Sequence, residues 1–118
     1  MSAQRDADCL FCKIVAGEIP ADVVHETETT VAFRDIDPQA PVHVLVIPRT
    51  HQPNVGALVA QEPQVAVDLL DAVDAVAEQE GMHDGYRLVF NTGRRAYQSV
   101  FHVHAHVLGG RDMGWPPG

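Results

Sequence analysis

Near its C-terminus the chain reads Gln98-Ser99-Val100-Phe101-His102-Val103-His104-Ala105-His106-Val107-Leu108, with three of its seven histidines at alternate positions of an otherwise apolar run. A β-strand turns successive side chains to opposite faces. The segment therefore predicts one strand with Val100, His102, His104 and His106 on one face and Phe101, Val103, Ala105 and Val107 on the other. The apolar face belongs against a core. Imidazole serves as nucleophile, general acid, general base or metal ligand near neutral pH, so its repetition marks a face built for chemistry. A polar sheet face with merely hydrogen-bonded histidines is the bland alternative. At about 6.6 Å per two residues the outer histidines stand roughly 13 Å apart, too far for one metal ion to collect all three. A division of labour among them is expected.

The remaining pattern supplies one core and one layer of helix. A length of 118 residues with 46% hydrophobic content suits a single domain over residues 1–118. Leu10 to Ala16 reads as a short helix closed by Gly17, with Pro20 beyond it. Val23 to Glu26 and Thr30 to Asp35 form a hairpin with Val31 and Phe33 on one face, and His43 to Pro48 resumes a strand after a turn-rich loop. Pro63 to Gly81 reads as the one long helix: Val65, Leu69, Val73 and Val76 are spaced by four, four and three, and acidic residues line its outer face. Tyr86 to Asn91 is a further strand, Thr92 to Tyr97 a polar loop, and Gly109 to Gly118 a tail too rich in Gly and Pro for regular structure. These elements predict an α+β fold with a mostly antiparallel sheet.

Composition narrows the function classes. The net charge of −8, with eight Lys and Arg in no basic stripe, argues against a nucleic-acid polymer as partner. The N-terminus lacks the pattern of a signal peptide and there is no 18-residue apolar run, so a cytoplasmic protein without a membrane partner is expected. Cys9 and Cys12 are too few and too close for a disulfide framework, leaving metal binding or redox chemistry. The redox reading wants a thioredoxin-like βαβ setting that the chain lacks. Zinc would need two further ligands beside these thiolates, and histidines are available.

His102-Val103-His104-Ala105-His106-Val107 resembles the signature of the histidine-triad (HIT) superfamily. Phe33-Arg34-Asp35-Ile36-Asp37-Pro38-Gln39-Ala40-Pro41, Val42-His43-Val44-Leu45-Val46-Ile47-Pro48, Asn91-Thr92-Gly93 and the closing Trp115-Pro116-Pro117-Gly118 resemble its Hint branch. The likeness runs from about residue 8 to the end. It implies a HIT-like homodimer that hydrolyses purine nucleoside phosphoramidates, typically adenosine 5′-phosphoramidates, releasing the amine and a nucleoside monophosphate such as AMP. On this resemblance His104 is the nucleophile, forming a covalent nucleotidyl-imidazole; His106 serves phosphate and leaving amine, as can Ser99 and Gln98; and His43 orients the nucleophile. Asp35 matches a ribose-binding acid, and Asn91 a residue touching ribose or phosphate. Leu10, Phe11, Ile14, Phe33, Ile36 and Leu45 fall where the family lines its base pocket, and Val100 beside the phosphate residues. Trp115 is implied to reach the partner's site. Dimerisation is expected through the long helix and the strand over Tyr86 to Asn91.

Some members of the superfamily, many of them bacterial, hold a structural zinc on a Cys-x-x-Cys pair and two histidines. Here the resemblance places those ligands at Cys9, Cys12, His51 and His102, and His25 and His83 fall on the surface. Two positions depart from the pattern. Ala96-Tyr97 stands where glycine usually lets backbone N–H groups approach the phosphate, and Arg34 stands where Hint proteins often carry His. Alternative functions are a dinucleoside polyphosphate hydrolase, a nucleotide-binding regulatory module without catalysis, and a zinc-structured interaction protein.

Overall fold

The computed structural model describes residues 6–118. Its elements run α1 (Leu10–Val15), β1 (Val23–Glu26), β2 (Thr30–Arg34), β3 (Val42–Pro48), α2 (Val55–Gln61), α3 (Pro63–Gln79), β4 (Arg87–Val89), a 3-10 turn at Arg94–Ala96, and β5 (Ala105–Gly109). The five strands form one antiparallel sheet in the order β1-β2-β3-β5-β4. The expected α+β architecture is the observed one.

Period-two alternation divides the sheet into two faces. Ala32, Val44, Val46, Ala105 and Val107 point toward the helices, where they pack with Leu58 of α2 and with Leu69, Ala72, Val73, Val76 and Ala77 of α3. Val31, Phe33, Leu45 and Ile47 point the other way and pack with Cys9, Phe11 and Cys12 around the start of α1. The large core therefore lies beneath α3. The chemistry-bearing histidines belong to the opposite face. Leu69 is only 1% exposed, so Leu69→Ala is expected to destabilise the fold by about 2–5 kcal/mol, measurable as a lower urea midpoint.

Helix ends follow local chemistry. Cys9 caps α1, its sulfur accepting the Cys12 backbone N–H at 3.4 Å. Asn54 caps α2 by accepting the Ala57 N–H at 2.9 Å. Pro63 opens α3, and Gly81, at φ +74°, turns the chain away after it. The helix α2 was not expected from the sequence; its Val55, Leu58 and Val59 carry the i, i+3, i+4 spacing behind a good cap. Glu62 sits in the α2–α3 joint and accepts from Thr50 Oγ1 and Gln52 Nε2.

The histidine segment is shorter as a strand than its alternation predicts. Regular pairing begins at Ala105, opposite Val46, and ends at Gly109, opposite Val42. Continuing the ladder would set Val103 against Pro48, which has no N–H to donate. Val103 instead donates to the Gln52 carbonyl at 2.7 Å, while the Pro48 carbonyl accepts from the His102 ring at 2.9 Å. Residues 98–104 thus leave the sheet and follow the loop after β3. The strand predicted over Tyr86 to Asn91 is likewise cut to Arg87–Val89. Among the described residues no helix is long and apolar enough to cross a membrane.

Candidate functional site

Sheet register brings two histidines together. His43 on β3 lies opposite Leu108, and Leu45 lies opposite His106, so His43 and His106 are diagonal neighbours on one face. His43 Nε2 and His106 Nδ1 are 2.9 Å apart, and the His104 and His106 rings are 4.9 Å apart between centroids. Phe11 sets its ring edge-on to His104 at 5.0 Å and so limits how that imidazole can rotate. α1 and the segment entering β5 share the task of holding the middle histidine.

Hydrogen bonds fix which nitrogen of each ring carries the proton. The His102 carbonyl can only accept, so His104 Nδ1, 2.8 Å away, holds the proton and Nε2 keeps its lone pair. The backbone N–H of Gln39 donates to His43 Nδ1 at 3.0 Å, which puts the proton of that neutral ring on Nε2. His43 Nε2–H then donates to His106 Nδ1, and the His106 proton falls on Nε2. That last N–H is buried without a hydrogen-bond partner among the described residues. Burial lowers the pKa of all three rings, that of His106 to about 4, with the neighbouring His104 and His43 as further causes. Neutral imidazoles at pH 7 give one free lone pair beside one free N–H donor, the pair that nucleophilic attack and leaving-group protonation require.

These groups border two cavities. The first, about 660 Å3, is lined by Leu10, Phe11 and Ile14 of α1, by Phe33, Arg34, Asp35 and Ile36, by Leu45, and by Ser99, Val100, His104 and His106. Its apolar walls and few convergent polar groups suit a flat organic ligand with a polar end. The second, about 560 Å3, shares Asp35, Ser99 and His106 with the first and adds residues that include Asp37, Gln39, His43, Asn91 and Tyr97. Asp35 accepts the Asp37 N–H at 2.8 Å and has its other oxygen 3.5 Å from His43 Nε2. The two cavities meet at His106.

The remaining expected residues divide into those the structure brings to this place and those it does not. Asn91 lines the second cavity rather than the first. Gln98, expected to donate to a phosphate, is buried with its amide nitrogen bonded to the carbonyls of Pro53 and Val100 and its amide oxygen to the Gly93 N–H. Its side chain braces the loop and has no N–H left for a ligand. Trp115 is 83% exposed on a tail held by Arg87 Nη2 to the Gly114 carbonyl, and it lines neither cavity. Sequence reasoning missed Ile19, Pro20, Ala21 and Asp22 at the rim of the first cavity, with Pro20 read only as a breaker. It also missed Gln39, whose contribution is a main-chain N–H that no side-chain pattern announces.

A second cluster gathers the first histidine with both cysteines. Cys9 Sγ and Cys12 Sγ each lie 3.5 Å from His102 Nδ1, and Cys12 Sγ lies 3.5 Å from His51 Nδ1. All four ligand atoms fall within 4.8 Å of one another. A tetrahedral ion with sulfur at about 2.3 Å and nitrogen at about 2.0–2.1 Å sets sulfur and nitrogen roughly 3.6 Å apart. The cluster fits that geometry. His102 Nε2–H donates to the Pro48 carbonyl, which leaves Nδ1 as the free ligand atom, and burial pushes the ring's pKa down to about 4. Backbone N–H groups of Asp6 and Cys12 point at the sulfurs of Cys12 and Cys9. His83 is on the surface, and His25 is partly covered at the edge of β1.

A five-stranded antiparallel sheet under one long helix, with histidines at alternate positions leading into β5, defines a member of the HIT domain family, whose pattern matches residues 16–113. The 14 kDa zinc-binding protein of Zea mays is 49% identical over 115 residues, 96% of this chain and 90% of that protein. The purine nucleoside phosphoramidase of Escherichia coli K12 is 44% identical over 108 residues, 91% of each. The crystal structure of a HIT family hydrolase from Legionella pneumophila Philadelphia 1 superposes with a TM-score of 0.90 at 47% identity, covering 94% of this chain and all of that one. These relatives support hydrolase activity on a nucleotide-type substrate.

Proposed function

We propose that this chain, as a single HIT domain over residues 1–118, is a purine nucleoside phosphoramidase acting through a covalent nucleotide on His104. The observation that carries the reading is the proton order around the site: a lone pair on His104 Nε2 and, beside it, an unpartnered His106 Nε2–H. The purine fits the first cavity between the side chains of α1 and β2, and Asp35 accepts from the ribose hydroxyls. His104 Nε2 attacks the α-phosphorus as the P–N bond to the amine breaks, and His106 Nε2–H supplies the proton the departing amine needs. The developing positive charge on His104 is met by the His102 carbonyl at Nδ1. Ser99, exposed and bordering both cavities, donates to the phosphate oxygens. Water then cleaves the phosphorus–imidazole bond, returning the proton to His106 and releasing AMP.

The same reading includes a structural zinc on Cys9, Cys12, His51 and His102, and a homodimer located in the cytoplasm. Support for the dimer comes from β4, an edge strand of the sheet with Tyr86 and Leu88 exposed beside it, and from Val67 and Leu70 exposed on α3. Joining two β4 edges would bury this surface and bring the Trp115 tail to a neighbouring site. Intact mass spectrometry after brief mixing with an adenosine phosphoramidate tests the activity. An increment of one adenylyl group, absent in His104→Ala, is expected. AMP binding without such an adduct or any turnover would favour a non-catalytic nucleotide-binding module.

A further inference from the structure

Tyr97 is the residue whose conformation the active-site chemistry does not explain. Among the described residues it alone, glycines aside, has positive φ, at φ 67° and ψ 36°. Glycine enters that left-handed region freely, whereas a tyrosine Cβ crowds the following carbonyl. The turn nevertheless holds an aromatic side chain there, 84% exposed, on the wall of the second cavity. Gln98, immediately after it, anchors the loop by three hydrogen bonds, so the ring stands on a fixed base.

The second cavity has a defined place in the proposed reaction, on which this inference rests. Displacement at phosphorus sends the leaving group away from the nucleophile. His104 lines the first cavity and not the second, whereas His106 and Ser99 border both. A nucleoside in the first cavity therefore directs its departing amine into the second. Asp35 and Asp37 are acidic groups on that wall, and no Lys or Arg lines it. The surroundings disfavour an anionic leaving group and accept a neutral or cationic one.

We propose that Tyr97 is a specificity-determining residue: its ring forms the platform on which the leaving amine's own aromatic group lies, selecting arylalkylamine phosphoramidates over those releasing ammonia or an anionic group. Face contact between flat groups is worth enough to shift selectivity about tenfold, since the exposed ring is covered only when such a group is present. The test compares kcat/KM for an adenosine phosphoramidate carrying a 2-arylethylamine with that for the unsubstituted phosphoramidate. Tyr97→Phe should keep the ratio of the two. Tyr97→Gly and Tyr97→Asn, both compatible with the left-handed turn, should lower it about tenfold. A ratio unchanged in both of these variants overturns the assignment of Tyr97 alone. Turnover of neither substrate by the unmodified chain overturns the phosphoramidase reading itself, and this inference with it.

Discussion

Replacing His104 with alanine is expected to lower kcat for an adenosine phosphoramidate by about four orders of magnitude or more, with AMP affinity changed only a few-fold. The magnitude follows from what is lost. Without Nε2 no covalent nucleotide forms, and the reaction reverts to direct attack by water, a single harder displacement. Affinity is largely retained because the apolar cavity walls, Asp35, Ser99 and His106 remain. The relevant measurements are single-turnover kinetics and calorimetric titration with AMP. Activity within tenfold of the parent would show that His104 is not the nucleophile. His104→Gln is an informative companion, since it fills the space beside Phe11 without supplying a basic nitrogen. Its failure to restore turnover would separate nucleophilicity from packing.

Much of this site is legible in the sequence because strand periodicity and imidazole chemistry coincide in one segment. Alternation places His104 and His106 on a common side and Val103, Ala105 and Val107 in the core, and the structure has both. Alternation alone overextends the strand, since the limit at Ala105 is set by Pro48 on another strand. That influence is tertiary. The pairing of His43 with His106 depends on register, which local pattern leaves open until the β3–β5 ladder is known. Gln98 illustrates a different limit: its chemistry as a hydrogen-bond donor is readable, but its engagement with Pro53, 45 residues away, is not. The helix α2 is another matter, since Asn54 and the spacing of Val55, Leu58 and Val59 do carry its signal. Tyr97 marks a conflict between local preference and backbone conformation, and such conflicts gather where function constrains the chain.

Stripping metal from the purified protein with a strong chelator is expected to lower its thermal midpoint by about 10 °C or more, and elemental analysis beforehand should find one zinc per chain. Cys12→Ala should reproduce the shift, because it removes a ligand that is only 2% exposed and faces two histidines. The cluster ties the start of α1 to the loop after β3 and to the segment entering β5. Removing the ion would leave two sulfurs and two ring nitrogens facing one another without the four coordinate bonds that join them. A consequence for activity follows from His102 alone. Its side chain would supply one ligand, and its carbonyl accepts a hydrogen bond from Nδ1–H of His104. Loosening the ligand frees the carbonyl that fixes the nucleophile's tautomer and direction, so kcat should fall further than KM rises. A thermal midpoint unmoved by both chelation and Cys12→Ala, with no metal in the purified chain, would remove zinc from the account and leave the nucleotide chemistry standing on His43, His104 and His106.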